Sequence, residues 1–189
     1  VIQDNGELFH NCSAVMISSR HVLTAAHCLI DIMNKNDVRF DSIYAFPAYH
    51  NGEQIEGIPS SQVTKIYFFE NWSLFGGEDI MVLELEEPIG ELTGWFGVGY
   101  NDNDTYFETH IFQKLSYPGK KLQQDKIDFN GDTLYHAFGT LNFPSEEENN
   151  TFLGVSGYDF VRPGESGSSL FYTDNEEEYT VFGVLSTAG

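Results

Sequence analysis

A chain of 189 residues, 41% of them hydrophobic, is long enough to bury a sizeable core as one domain or two small lobes, and too apolar to be disordered. The net charge is -20, from 9 Lys and Arg against 29 Asp and Glu. That excludes nucleic acid and anionic membranes as partners, since both need basic side chains, and no apolar run approaches the ~20 residues that span a bilayer. The excess of acid reads as a solubilising surface. The first residues, V-I-Q-D-N-G, do not read as a signal peptide, so a secreted form would already have lost its leader.

Along the chain, short apolar or alternating runs appear at residues 13–18, 22–25, 63–69 and 80–85. Others follow at 110–115, 134–138, 168–172 and 180–186. Most are bounded by Gly, Asn, Asp or Pro, the pattern of many short strands and hence of a sandwich or barrel. Long helical periodicity is missing; residues 25–33 can hold one short helix. Acidic or Asn-rich stretches at 101–104, 145–150 and 174–178 read as solvated loops, and 97–104 reads as a crossover between two lobes. Counted alone, Cys12 and Cys28 are equally well free thiols or a bridge.

Three segments carry chemistry. T-A-A-H-C at 24–28 sets His27 at the end of an apolar strand, followed at once by Cys28, with Cys12 on the strand before. A lone His in an apolar segment is ordinarily structural; this frame raises it above that. E-D-I-M-V-L-E-L at 78–85 opens an apolar strand with Asp79. P-G-E-S-G-S-S-L-F at 163–171 places Ser166 in a glycine-rich turn before another apolar strand. A serine hydroxyl is a weak nucleophile and needs a neighbouring base, and a buried carboxylate is what fixes a histidine's tautomer for that task.

Taken together, in the order His, Asp, Ser, these segments resemble the chymotrypsin-like serine proteases; subtilisins and α/β-hydrolases use other orders. L-S-Y-P-G at 115–119 and the single cysteine pair are closest to the bacterial glutamyl endopeptidase-like branch. The resemblance implies an all-β fold of two antiparallel barrels, residues 1–98 carrying His27 and Asp79 and residues 99–189 carrying Ser166. It implies a catalytic triad of His27, Asp79 and Ser166, and an oxyanion hole from the N–H groups of Gly164 and Ser166. It also implies a Cys12–Cys28 disulfide, an oxidising and hence extracellular compartment, and a substrate strand pairing with Ser186, Thr187 and Ala188. The function implied is a secreted serine endopeptidase acting through an acyl-enzyme, on protein or peptide substrates, as a monomer and without a cofactor. A non-catalytic binding module on the same fold is the alternative.

The chain also departs from that family. Members continue beyond the position of Gly189 with a further strand and a C-terminal helix, so the second barrel is expected to be incomplete. In animal members a new N-terminus pairs with an acid just before the nucleophile. Glu165 holds that position, and either a Lys or Arg partner or a solvent-facing carboxylate is expected for it. His10, His21, His50, His110 and His136 lack metal-ligand spacing, and residues 102–104 and 128–132 resemble calcium loops only weakly, so no metal is assigned. Sequons stand at Asn11, Asn71, Asn103 and Asn149. In the glutamyl endopeptidase-like branch a His occupies the place of Ser186. Here Arg162 is the cation nearest the nucleophile loop, beside Phe160 and Val161, so no strict requirement for Glu at the cleaved bond is expected.

Overall fold

The computed structural model describes residues 2–4, 7–9, 12–30, 42–70, 72, 78–119, 127–142, 154–156, 161–174 and 178–186. Among them, strands dominate. The first sheet runs through β1 (Ile2–Asp4), β2 (Glu7–Phe9), β3 (Val15–Met16), β4 (His21–Thr24), β5 (Ser42–Ala45), β6 (Ser61–Phe68) and β7 (Met81–Leu85). Its seven strands pair antiparallel in the order β2-β1-β5-β6-β7-β4-β3. The second sheet holds β8 (Gly97–Val98), β9 (Phe112–Ser116), β10 (Tyr135–Asn142), β11 (Gly154–Ser156), β12 (Ser169–Thr173) and β13 (Tyr179–Val184). Its order is β11-β10-β9-β12-β13-β8, antiparallel except for the β13–β8 pair. This is the all-β, two-barrel architecture of the chymotrypsin-like fold. Two short helices stand among the described residues, α1 (Gly90–Thr93) between the sheets in sequence and α2 (Asp104–Thr109) between β8 and β9.

Side chains on a strand alternate between faces, and β4 and β7 use both. Val22, Met81, Leu83 and Leu85 turn into a core with Ile30, Ile43, Trp72 and Ile89. The opposite face carries Leu23 with Ile80 and Val82. These meet Val15, Phe171 and Val181, so this second cluster joins the two sheets. Phe96 sits in the same seam, edge-on to Phe171 at 5.0 Å between ring centroids. Burying each such side chain stabilises the fold by about 1.5–3 kcal/mol, so β4 and β7 tie both halves together. A third cluster, Phe107, Phe112 and Leu141 with Tyr106, Leu170, Tyr172 and Phe182, is the second sheet's own core.

Three expectations from the sequence change. The stretch 97–104, read as a crossover between two lobes with a solvated loop at 101–104, holds β8, which pairs parallel to β13 through Thr180↔Gly97 and Val181↔Val98. It then leads into α2, capped by Asn103, whose side-chain oxygen accepts from Thr105 N–H at 3.0 Å. An Asn-rich stretch signals a cap as readily as a loop. The short helix expected over 25–33 is, within the described residues, a single 3-10 turn at Ala26–Cys28. The strands β1, β2, β5 and β11 were not foreseen; they are three or four residues long and carry too little alternation to read.

Candidate active site

Strand β4 ends at Thr24, and the chain bends at Ala25 into the 3-10 turn. Ala25, Ala26 and Cys28 are buried, while the ring of His27 points out of the turn with 18% of its side chain exposed. Cys12 and Cys28 are bridged, with their Cα atoms 6.1 Å apart, so the turn is tied covalently to the segment entering β3. This bears out the disulfide. In the β4–β7 ladder Thr24 lies opposite Met81, so the residues just beyond each strand end, Asp79 and His27, fall side by side.

Asp79 is 6% exposed and accepts four hydrogen bonds. Its Oδ1 takes the backbone N–H of His27 at 2.8 Å and the indole N–H of Trp72 at 2.9 Å. Its Oδ2 takes His27 Nδ1–H at 2.6 Å and the hydroxyl of Ser186. Burial alone raises the carboxyl; the bonds from His27 and Ser186 outweigh it and bring its pKa down to about 2. The carboxylate is therefore ionised at neutral pH, and His27 is held with its proton on Nδ1 and Nε2 directed away from Asp79.

Ser166 stands in the loop before β12. The β12–β13 ladder pairs Ser169 with Val184, and it continues irregularly through Leu185 N–H to Ser168 O and Gly167 N–H to Leu185 O, both 2.8 Å. Ser166 thus comes opposite Ser186, and its Oγ donates to the Ser186 carbonyl at 3.4 Å. Among the described residues Oγ makes no hydrogen bond to His27. The link between them runs through Ser186, whose hydroxyl holds the same Asp79 that holds the histidine.

The loop is pinned from below. Gly167 has φ +81, and a Cβ there would stand 2.1 Å from Thr24 Oγ1 and 2.3 Å from the Ser13 carbonyl. Ser13 is the hub: its N–H donates to Ser166 O at 2.8 Å, its hydroxyl donates to Gly164 O at 2.8 Å, and that hydroxyl accepts from Tyr117 N–H at 2.9 Å. Its carbonyl in turn accepts from Thr24 Oγ1 at 2.8 Å. With the carbonyls of 164 and 166 held on one side, the N–H groups of Gly164 and Ser166 have no acceptor among the described residues. Gly164, at φ +91, packs against the Tyr117 carbonyl and Gly119, where a Cβ would come within 2.6 Å.

Glu165 resolves into the first of its two expected forms. It is 3% exposed and its Oε1 takes Lys114 Nζ at 3.0 Å and Ser116 Oγ at 2.7 Å; Oε2 takes Arg162 N–H at 2.7 Å. The Arg162 guanidinium lies over the Phe129 ring, 4.8 Å from its centroid. Sequence reasoning missed Ser13, Trp72, Lys114 and Ser116. A faint signal existed for Lys114 and Ser116, since the run F-Q-K-L-S puts both on the face that Phe112 buries. Thr187, Ala188, Phe160, His10, Asn11, Asn71 and Asn149 lie outside the described residues. Cys12, His27 and Cys28 stand close enough to suggest a metal group, but both sulfurs are spent in the disulfide and offer no thiolate.

The sequence model of the trypsin family matches residues 1–189, the whole chain. The protein belongs to the trypsin family. This family member is 37% identical over 82 residues to chymotrypsin-C of Rattus norvegicus, a match that covers 42% of this chain and 28% of that protein. Its fold is shared by the protease Anisep of Arthrobacter nicotinovorans, with a TM-score of 0.67 and 17% identity, over 100% of this chain and 81% of that one. A Glu endopeptidase crystallised with MPD gives a TM-score of 0.64 and 16% identity, over 99% of this chain and 83% of that one. At these identities the two structures speak for the fold.

Proposed function

We propose that this trypsin-family chain is a secreted serine endopeptidase, with Ser166 as nucleophile, His27 as general base and Asp79 as the carboxylate that orients it. The observation that carries the reading is the double hold of Asp79 on His27, through the backbone N–H and through Nδ1. It leaves Nε2 as the free basic nitrogen. In the proposed cycle Ser166 Oγ turns from the Ser186 carbonyl toward Nε2, gives up its proton and attacks the scissile carbonyl. The N–H groups of Gly164 and Ser166 take the oxyanion, in a loop whose carbonyls are already engaged on the other side. His27 then protonates the leaving amine, and water repeats the sequence on the acyl-enzyme.

Substrate pairs as an added strand along Ser186, Thr187 and Ala188, with two lobes that divide near residue 98, β8 pairing in the second sheet. The disulfide fits an oxidising, extracellular setting. Arg162 stacked on Phe129 supports a preference without a strict Glu requirement, leaning to apolar side chains at the cleaved bond. A P1-varied peptide library tests this; cleavage after Glu alone, lost in Arg162→Ala, would reverse it.

One observation favours the non-catalytic alternative: the resting Ser166 hydroxyl is bonded to Ser186 O and not to His27. A fluorophosphonate probe separates the two readings. An endopeptidase is labelled on Ser166, and both labelling and peptide hydrolysis vanish in Ser166→Ala with the fold intact. A folded protein that takes no label and cleaves no peptide is a binding module.

A further inference from the structure

The core of the first sheet holds an unfilled space. Strand β5 turns Ile43 and Ala45 to one face, since side chains two apart on a strand point the same way. Ile43 is buried with Val22, Leu83 and Ile89, while Ala45 packs at the margin of that core and fills little volume. Beside them lies a cavity of about 130 Å³, lined by these side chains, by Met16 and by the Cys12–Cys28 disulfide. Toward solvent it is bounded by the half-buried rings of Tyr44, Phe46 and Tyr49. Protein interiors are packed as densely as organic crystals, so a void of this size forfeits contacts that a guest would restore.

The lining decides which guest. No Lys, Arg, His, Asp or Glu stands in it among the described residues, so a charged molecule would enter without a counter-charge. The polar groups that do line it are already engaged. Ser13 Oγ donates to the Gly164 carbonyl and accepts from Tyr117 N–H, and Thr24 Oγ1 donates to the Ser13 carbonyl. Tyr49 donates to the Gly52 carbonyl at 3.0 Å, and the Tyr117 hydroxyl is met by the Tyr49 backbone. Among the described buried side-chain polar atoms only Ser168 Oγ lacks a partner, and Ser168 is not in the lining. A buried water needs two to four polar partners, and this space offers it none; a dry apolar cavity of about 150 Å³ takes benzene or xenon. The rim favours a ring over an alkane. Phe46 already pairs edge-on with Tyr44 and Tyr49, at 6.4 and 5.8 Å between centroids. Met16 adds a polarisable sulfur, which packs well against aromatic rings.

We infer that this cavity is a binding site for one small uncharged aromatic ring, of the size of benzene, seated among Ile43, Ala45, Leu83 and the disulfide. The inference stands independently of the endopeptidase reading.

The test is an NMR titration of the full chain, 13C-labelled at its methyl groups, with benzene as the probe. Saturable shifts are expected in the methyls of Val22, Ile43, Leu83 and Ile89, with a Kd of about 1 mM or tighter, within reach of one buried ring. Phenol should bind at least about tenfold more weakly, because its hydroxyl finds no free side-chain partner. Cyclohexane should bind at least about threefold more weakly, because it lacks edge-on ring contacts. Benzene at about ten times its Kd should raise the melting temperature by about 2–5 °C. Ala45→Leu fills the space and should weaken benzene by about tenfold or more. If that variant does not fold, nuclear Overhauser contacts from benzene to the Ile43 and Leu83 methyls of the parent locate the ligand instead. Shifts that do not saturate, contacts confined to residues outside the cavity, or undiminished binding by folded Ala45→Leu overturn the site. Phenol or cyclohexane binding as tightly as benzene overturns the ligand class.

Discussion

Replacing Asp79 with Asn tests the central geometry with a change of one atom. The carboxylate receives two N–H groups on Oδ1 and a ring N–H plus a hydroxyl on Oδ2. An amide can enter in two orientations. With its NH2 at the Oδ1 position it would face the His27 and Trp72 N–H groups, donor against donor, and strand both of those buried N–H groups. With its oxygen there, both of those bonds survive, and the NH2 faces His27 Nδ1 and the Ser186 hydroxyl. The second orientation wins, since each unsatisfied buried donor costs ~1–3 kcal/mol. The hydroxyl of Ser186 can turn to accept. His27 can only adapt by accepting at Nδ1, which moves its proton to Nε2, the nitrogen that must take the proton of Ser166.

The fold should therefore survive Asp79→Asn, at a cost of about 1–3 kcal/mol as charge-assisted bonds become neutral ones. Turnover should fall by about 10⁴, or ~5.5 kcal/mol of barrier. The assay is peptide hydrolysis at saturating substrate, beside 15N spectra of the His27 ring. The protonated nitrogen should change from Nδ1 in the parent to Nε2 in the variant. Turnover within tenfold of the parent, or a ring still protonated at Nδ1, would refute the reasoning.

Asp79 also makes stability depend on pH. Its folded pKa, about 2, lies below the value near ~3.9 expected of an unfolded aspartate. Its contribution is thus present above about pH 4 and is lost as pH falls toward 2, amounting to roughly 2–3 kcal/mol. The urea midpoint of the parent should drop more between pH 7 and pH 3 than that of Asp79→Asn; equal drops would count against the bonding described. Gly167→Ala places a methyl against Thr24 Oγ1 and the Ser13 carbonyl at a left-handed φ. It should cost about 3 kcal/mol or more, seen as a melting temperature lowered by roughly 6–12 °C together with loss of fluorophosphonate labelling; a variant as stable as the parent would show that the loop does not pack there. Thiol titration of the denatured, unreduced protein should find no free thiol, and Cys12→Ala/Cys28→Ala should lose about 3 kcal/mol by urea unfolding; two titratable thiols in the parent would remove the bridge.

Much of the site was legible from linear pattern alone, because its parts sit at strand ends that local chemistry marks. His27 follows an apolar strand and precedes a cysteine, Asp79 opens one, and Ser166 lies in a turn that needs glycine on both sides. Their order along the chain named the family. The strands that carry them were readable for the same reason: β4, β7, β12 and β13 are runs of mostly apolar residues. The short strands β1, β2, β5 and β11 did not, since their place is decided by the neighbours they pair with and not by their own residues.

What only the folded chain decides is which distant groups meet. Trp72 donates to Asp79 across 7 residues, and Ser13 reaches Gly164 across 151. Nothing local to Ser13 or Trp72 distinguishes either from any other serine or tryptophan. The sharpest instance is Glu165. Its sequence allowed a cation or open water with equal force, because one carboxylate is satisfied by either. The register of β9 against β12, Leu115 opposite Ser169, brought Lys114 and Ser116 to it and closed off the solvent. Local composition determines where a strand or turn begins and ends; long-range register determines which buried polar groups satisfy one another, because a hydrogen bond needs its partner at about 3 Å and only the assembled sheets set that distance.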